Sequence, residues 1–298
     1  MGQGHNHETS SNKKLLLISF ILIFGFMIVE LIGGIWTNSL ALISDAGHML
    51  SDAVSLGLSL LAIKIGEKAA TVAKTYGYKR VEILVAFLNG ITLLGISIYV
   101  FWEAFNRFSE PPEVSTSMLY IAVAGLIVNI VAAWILQKGD TKENLNLRSA
   151  FLHVLGDMLG SVGAIVAGLL ILFFNWNLAD PIASIVVSIL VLVSGWRVTK
   201  ESIHILLEGS PSNINVEEVK MKLEELNGVE EVHDLHIWSI TSEQPTLSGH
   251  LVVEPKVNRD DLLNIATNIL KERFKVKHAT LQLEGRNFAH KEKEEYSH

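Results

Sequence analysis

Two short stretches place ionisable residues inside otherwise apolar runs: "SDAGHMLSDA" at 44–53 and "SAFLHVLGDMLGS" at 149–161. Each carries a His and an Asp four positions apart, His48 with Asp52 and His153 with Asp157. Residues i and i+4 of a helix share a face, one turn apart. A charged side chain at bilayer depth costs about 3 kcal/mol or more, so such groups are expected to satisfy one another. The economical arrangement has the two helices facing, with all four groups around one cation. Two imidazole nitrogens and two carboxylate oxygens make a four-coordinate shell suited to Zn2+. With no thiolate or thioether in the set Cu(I) is disfavoured, whereas Co2+ and Cd2+ suit similar chemistry. The alternative is a structural hydrogen-bonding or kink-stabilising role, and the recurrence of one spacing in two spans weighs against it. Asp45, three residues before His48, is either a third group near that face or a helix cap.

The elements that must position these groups are long and apolar. Of 298 residues 49% are hydrophobic and 18% charged, and the mean hydropathy of +0.37 is that of an integral membrane protein. The formal charge of −7 averages over unlike parts and says little about partners. There is no cysteine, which removes disulfides and thiolate metal sites. The N-terminal segment lacks the basic–apolar–small order of a cleavable signal, so the first apolar run is expected to be retained. A span needs roughly 20 apolar residues. Six stretches qualify, about 15–36, 41–63, 81–105, 116–137, 149–174 and 180–205. Lys and Arg concentrate in the leading tail, the second and fourth connections and the exit of the sixth span. By the positive-inside rule both termini are expected in the cytoplasm of a multi-pass cell-membrane protein.

Beyond Gly209 the composition turns soluble. "VEEVKMKLEELNG" reads as a helix, "VEEVHDLHIWSIT" and "TLSGHLVVEP" as strands, "NRDDLLNIATNILKERF" as an amphipathic helix capped by Asn258, and "KHATLQLEG" as a strand. The expected layout is a disordered tail over 1–12, a six-helix transmembrane domain over 13–208, a small α+β domain of order αββαβ over 209–287, and a disordered tail over 288–298. In "VHDLHIW" strand alternation puts His233 and His236 on opposite faces. His250 and Glu284 fall on the later strands.

Taken together, "NSLALISDAGHMLSDA", "TYGYKRVE", "LHVLGDMLGSVG", "ADPIAS" and "VHDLHIWSI" resemble the cation diffusion facilitator family, in particular its bacterial zinc, cadmium and cobalt efflux members and the vesicular zinc transporters. The likeness covers about 13–285. It implies six transmembrane helices, a metallochaperone-like cytoplasmic domain and a homodimer. It also implies a transport site at the positions of His48, Asp52, His153 and Asp157, and export coupled to entry of protons or, in some members, potassium. In members with zinc in the cytoplasmic domain, the positions matching His233, His250 and Glu284 are ligands. His278 falls one residue out of register with a further ligand position.

The expected function is therefore export of Zn2+, with Cd2+ and Co2+, from the cytoplasm against protons. The chief alternative is a metal-responsive membrane sensor without turnover. An enzyme is not expected, because the His-x-x-x-Asp pairs lack the Glu base of His-Glu-x-x-His and four protein ligands leave no position for water. No phosphate-binding Gly-rich loop and no nucleic-acid partner are expected. His5 and His7, in a short tail, are expected to hold metal weakly at most.

Overall fold

The structure is a computed structural model that describes residues 4–37, 40–106, 116–141, 144–176 and 178–288, without the side chains of residues 4–11, 34, 36–45, 47, 48, 51, 116–122, 164 and 180. The chain divides into two compact units, Met1–Ser202 and Ile203–His298.

Six helices fill the first unit: α1 (Gly4–Thr37), α2 (Leu40–Gly66), α3 (Val81–Asn106), α4 (Thr116–Gln137), α5 (Leu145–Phe174) and α6 (Ala179–Leu206), whose last turn enters the second unit. Each coincides with an expected apolar stretch. Among the described residues, four segments are long and apolar enough to cross a membrane, within α1, α3, α5 and α6, and Val123–Gln137 of α4 is a shorter apolar helix. Large apolar side chains face outward along them, among them Ile21, Val29, Ile98, Phe173 and Trp196. Water would not tolerate so much apolar surface, and hydrocarbon does. Exposed Trp102, Phe105, Phe174 and Trp176 gather at the C-terminal ends of α3 and α5, as aromatic residues do at a membrane interface. Where a disordered tail is expected over 1–12, α1 is helical from Gly4. Extending an existing helix costs little, because only nucleation is expensive.

Polar groups are turned inward. One apolar cluster joins α1, α2, α4 and α5 through Leu16, Ile23, Met27, Met49, Leu56, Leu136, Leu147 and Val154. α3 and α6 meet by backbone. A Cβ on Gly90 would stand 2.5 Å from Thr199 Oγ1 and 3.1 Å from Thr199 N, and one on Gly195 would stand 3.2 Å from Gly90 O. Only glycine permits that approach, the small-residue packing typical of helices in lipid. Hydrogen bonds tie the helices where they emerge. Lys13 Nζ on α1 lies 2.7 Å from Glu67 Oε2 just past α2, Asn144 Nδ2 donates to Glu82 Oε1 on α3, and Arg148 Nη1 on α5 lies 2.6 Å from Glu201 Oε2 on α6. Asn144 also caps α5, its side chain accepting from Leu147 N at 2.8 Å.

The second unit has the expected order: α7 (Val216–Glu224), β1 (Val229–Thr241), β2 (Gln244–Val253), α8 (Arg259–Arg273) and β3 (His278–Glu284). β1 and β2 form an antiparallel hairpin, and α8 carries the chain to β3, which lies parallel to β2 at the sheet's other side. The helices are amphipathic and bury Val219, Leu223, Leu262, Ala266 and Leu270 against Val232, Leu247 and Leu251 of the sheet. Asn258 caps α8 as expected, accepting from the backbone of Asp260 and Asp261. Gly228, at φ +91°, starts the sheet at a spot where a Cβ would meet Val257 Cγ2 at 2.1 Å.

Candidate metal centres

The first centre lies between α2 and α5. Asn146 Nδ2 on α5 donates to Ser59 O on α2 at 2.9 Å, and Asn89 Nδ2 on α3 donates to Ser59 Oγ at 3.2 Å. These contacts set the antiparallel register. Two turns further into the bundle along each helix, seven residues in either chain direction, stand Asp52 and His153. His153 Nε2 is 2.7 Å from Asp52 Oδ1, and both residues are buried, 4% and 6% exposed. At this distance the imidazole and the carboxylate are joined by a hydrogen bond. Asp157 joins them one turn on, and ligand atoms of Asp52, His153 and Asp157 lie within 4.8 Å of one another. Four residues before Asp52, position 48 falls level with Asp157 by the same register. The side chains of His48 and Asp45 lie outside the described residues, as do those of His5 and His7.

The second centre is on the open face of the C-terminal sheet. His233 of β1 pairs with His250 of β2, and β3 brings Glu284 beside Val252, two residues along from His250's partner Gln282. The two imidazoles meet edge to face with centroids 5.2 Å apart. Glu284, 3% exposed, lies between them, with His233 Nε2 3.2 Å from Oε2 and His250 Nδ1 3.0 Å from Oε1. Gln282 Nε2 donates to Oε1 at 2.8 Å. A buried carboxylate met by two imidazoles is a donor set that fits Zn2+. His233, His250 and Glu284 are thus brought together, within 4.8 Å by their ligand atoms. His278 is not. It opens β3 opposite Thr246, six residues from Glu284 or roughly 20 Å along the strand, because the strand is extended.

The strand-parity expectation for His236 is corrected by the structure. β1 has a register shift between His233 and His236, which oppose His250 and Ser248 respectively, so one extra residue sits on β1. Asp234 takes that bulge, at φ +48°. The bulge reverses the alternation and returns His236 to the face of His233. His236 Nε2 is 2.9 Å from Asp234 Oδ1, and Asp234 Oδ2 is 3.7 Å from His250 Nε2. The His236 hydrogen bond holds the Asp234 carboxyl below the usual carboxylate range, with His250 and His233 adding to it. Asp234 is the residue that sequence reasoning missed. Its only signal was an Asp, tolerant of left-handed backbone, between two histidines of a strand.

Comparison with known proteins finds matches over most of the chain. Residues 16–207 match the cation efflux transmembrane domain, and residues 211–286 match the cytoplasmic domain of cation efflux proteins. The chain belongs to the cation diffusion facilitator family. Among its relatives, a "Cadmium, cobalt and zinc/H+–K+ antiporter" of Bacillus subtilis is 55% identical over 94% of this chain and 92% of its own length. The "Zinc transporter ZitB" of Escherichia coli is 43% identical over 95% and 93%. The "Metal cation efflux system protein CzcD" of Cupriavidus metallidurans is 39% identical over 95% and 90%. A solved structure of the metal-bound C-terminal domain of that transporter aligns at 33% identity over 24% of this chain and 99% of its own, with a TM-score of 0.23.

Proposed function

We propose that this chain is a secondary active transporter that exports Zn2+, and with it Cd2+ and Co2+, from the cytoplasm in exchange for protons. One observation carries the reading. Asp52, His153 and Asp157 converge from two helices in the interior of an apolar bundle, and a hydrogen bond already joins His153 to Asp52. His48, level with Asp157, completes the set as the fourth ligand. The cation is the cargo, and the same lone pairs hold either it or the proton, so taking one requires releasing the other. Neutral imidazole and carboxylate favour Zn2+ and its neighbours over Mg2+. The names of the relatives, an antiporter, a transporter and an efflux system, support transport over sensing and over catalysis.

The termini face the cytoplasm on this reading, supported by the Lys and Arg of the tail, the α2–α3 and α4–α5 connections and the end of α6. Two copies assemble through the C-terminal domain, and His233, His250 and Glu284 hold a resident Zn2+ there that ties three strands at one point. His278, at the far end of β3, is not a ligand of that C-terminal site. Purified protein in liposomes, given Zn2+, Cd2+, Co2+, Mn2+ and Mg2+ with and without pH and K+ gradients, tests the function. The first three are expected to move, faster when protons flow oppositely, and Mn2+ and Mg2+ are not. Binding without flux would make the protein a sensor.

A further inference from the structure

We infer that Asp234 is a positioning residue of the C-terminal metal site: its carboxylate holds His250 with Nδ1 toward the metal, and His236 holds Asp234 in turn. This rests on the proposed binding of a divalent cation by His233, His250 and Glu284, and adds two residues to it.

A ligating imidazole gives one nitrogen to the metal and needs an acceptor for the N–H on the other, which fixes its tautomer and its plane. For His250 the two sides are already distinct. Nδ1 faces Glu284 Oε1 at 3.0 Å, on the side of His233, and Nε2 faces Asp234 Oδ2 at 3.7 Å. That separation is an ion-pair approach, longer than a hydrogen bond. The Asp234 side chain is 55% exposed, and the positioning role requires only a small rotation of it to close that gap. The other oxygen is engaged at 2.9 Å by His236 Nε2, so one carboxylate spans two imidazoles.

The backbone points the same way. In an unbroken strand the residue after His233 would face the helices. The bulge turns Asp234 toward the open face at the cost of left-handed backbone in a residue with a Cβ. Bulges and such outliers gather where a side chain must be re-aimed for function. A bulge serving only sheet twist would be met at lower cost by glycine.

The test uses the full-length protein with the transport site disabled by Asp52→Ala and Asp157→Ala, and Zn2+ titrated against a competing chelating dye. His233→Ala is expected to abolish the remaining binding. Asp234→Gly, which keeps the bulge, is expected to weaken it about 10- to 100-fold. Asp234→Asn, uncharged but still an acceptor, should fall between, and metal-free thermal stability should stay level. Imidazole 15N shifts of zinc-loaded protein should show His250 bound through Nδ1 with Nε2 protonated, and a mixture of tautomers in Asp234→Gly. If Asp234→Gly binds like its parent while His233→Ala does not bind, Asp234 has no positioning role. If Asp234→Gly abolishes binding as fully as His233→Ala, Asp234 is a ligand and the inference is overturned. Full binding in His233→Ala would instead remove the C-terminal site itself, and the positioning role with it.

Discussion

His153 Nε2 and Asp52 Oδ1 stand 2.7 Å apart across the α2–α5 interface, although 101 residues separate them in the chain. Their meeting is a consequence of register. The same two helices are pinned two turns away by Asn146 and Ser59, and an α-helix repeats its facing closely after seven residues. The buried histidine and the buried aspartate therefore satisfy each other in hydrocarbon, where neither could stand alone.

Removing one partner should expose that dependence. His153→Ala leaves Asp52 buried without its imidazole and is expected to cost about 3–5 kcal/mol of stability. Asp52→Asn keeps a hydrogen-bonding group at the same place and should cost much less, while abolishing Zn2+ flux. Thermal melts of both variants in detergent, beside flux in liposomes, separate the two effects. Equal melting points would show that the pair contributes nothing to the bundle.

The register itself can be loosened. Asn146→Leu removes the hydrogen bond to Ser59 O in the buried interface and is expected to cost about 1–3 kcal/mol. It should also weaken Zn2+ binding at Asp52, His153 and Asp157, two turns away. Unchanged zinc affinity with a lowered melting point would mean that the site does not depend on this contact.

The α3–α6 crossing allows no side chain at Gly90. Gly90→Ala brings a Cβ to 3.1 Å from Thr199 N, which must move, and an overpacking cost of about 1–3 kcal/mol is expected. Gly95→Ala, where nothing lies within 4 Å, is the control on the same helix and should be close to neutral. Comparable losses at both positions would contradict the close approach.

In the C-terminal domain Arg286 grips Glu230 with two nitrogens and holds its carboxyl below the usual range. A depressed folded-state value contributes stability above the ordinary carboxylate range, lost as pH falls through the folded value. Arg286→Ala should return the Glu230 titration toward the ordinary value and flatten the acid limb of the stability curve. The 13C shift of the Glu230 carboxyl against pH reports the outcome directly.

Much of this was legible in the sequence because the relevant signals are local and periodic. Twenty apolar residues make a span, and His153 and Asp157 share the helical repeat, so the helices and the polar face of α5 were open to reading from spacing. The αββαβ order followed from alternation and from caps such as Asn258. What could not be read depends on one-residue events and on long-range pairing. A single inserted residue at Asp234 reverses strand parity, and no periodicity announces it. His278 shares a strand with Glu284 yet stands at its far end, since parity gives the face but not the distance. Of the many glycines in the spans, Gly90 and Gly195 were not distinguishable until α6 was seen to lie on them.

The central claim is that α2 and α5 jointly hold a divalent cation, and zinc X-ray absorption tests it most directly. The sample is full-length protein whose C-terminal site is removed by His233→Ala and His250→Ala. The account predicts one tightly bound Zn2+ per chain with two imidazoles and two oxygens in its inner shell, and loss of that ion in His153→Ala and Asp157→Ala. A zinc that stays bound with the same shell in either variant would contradict it.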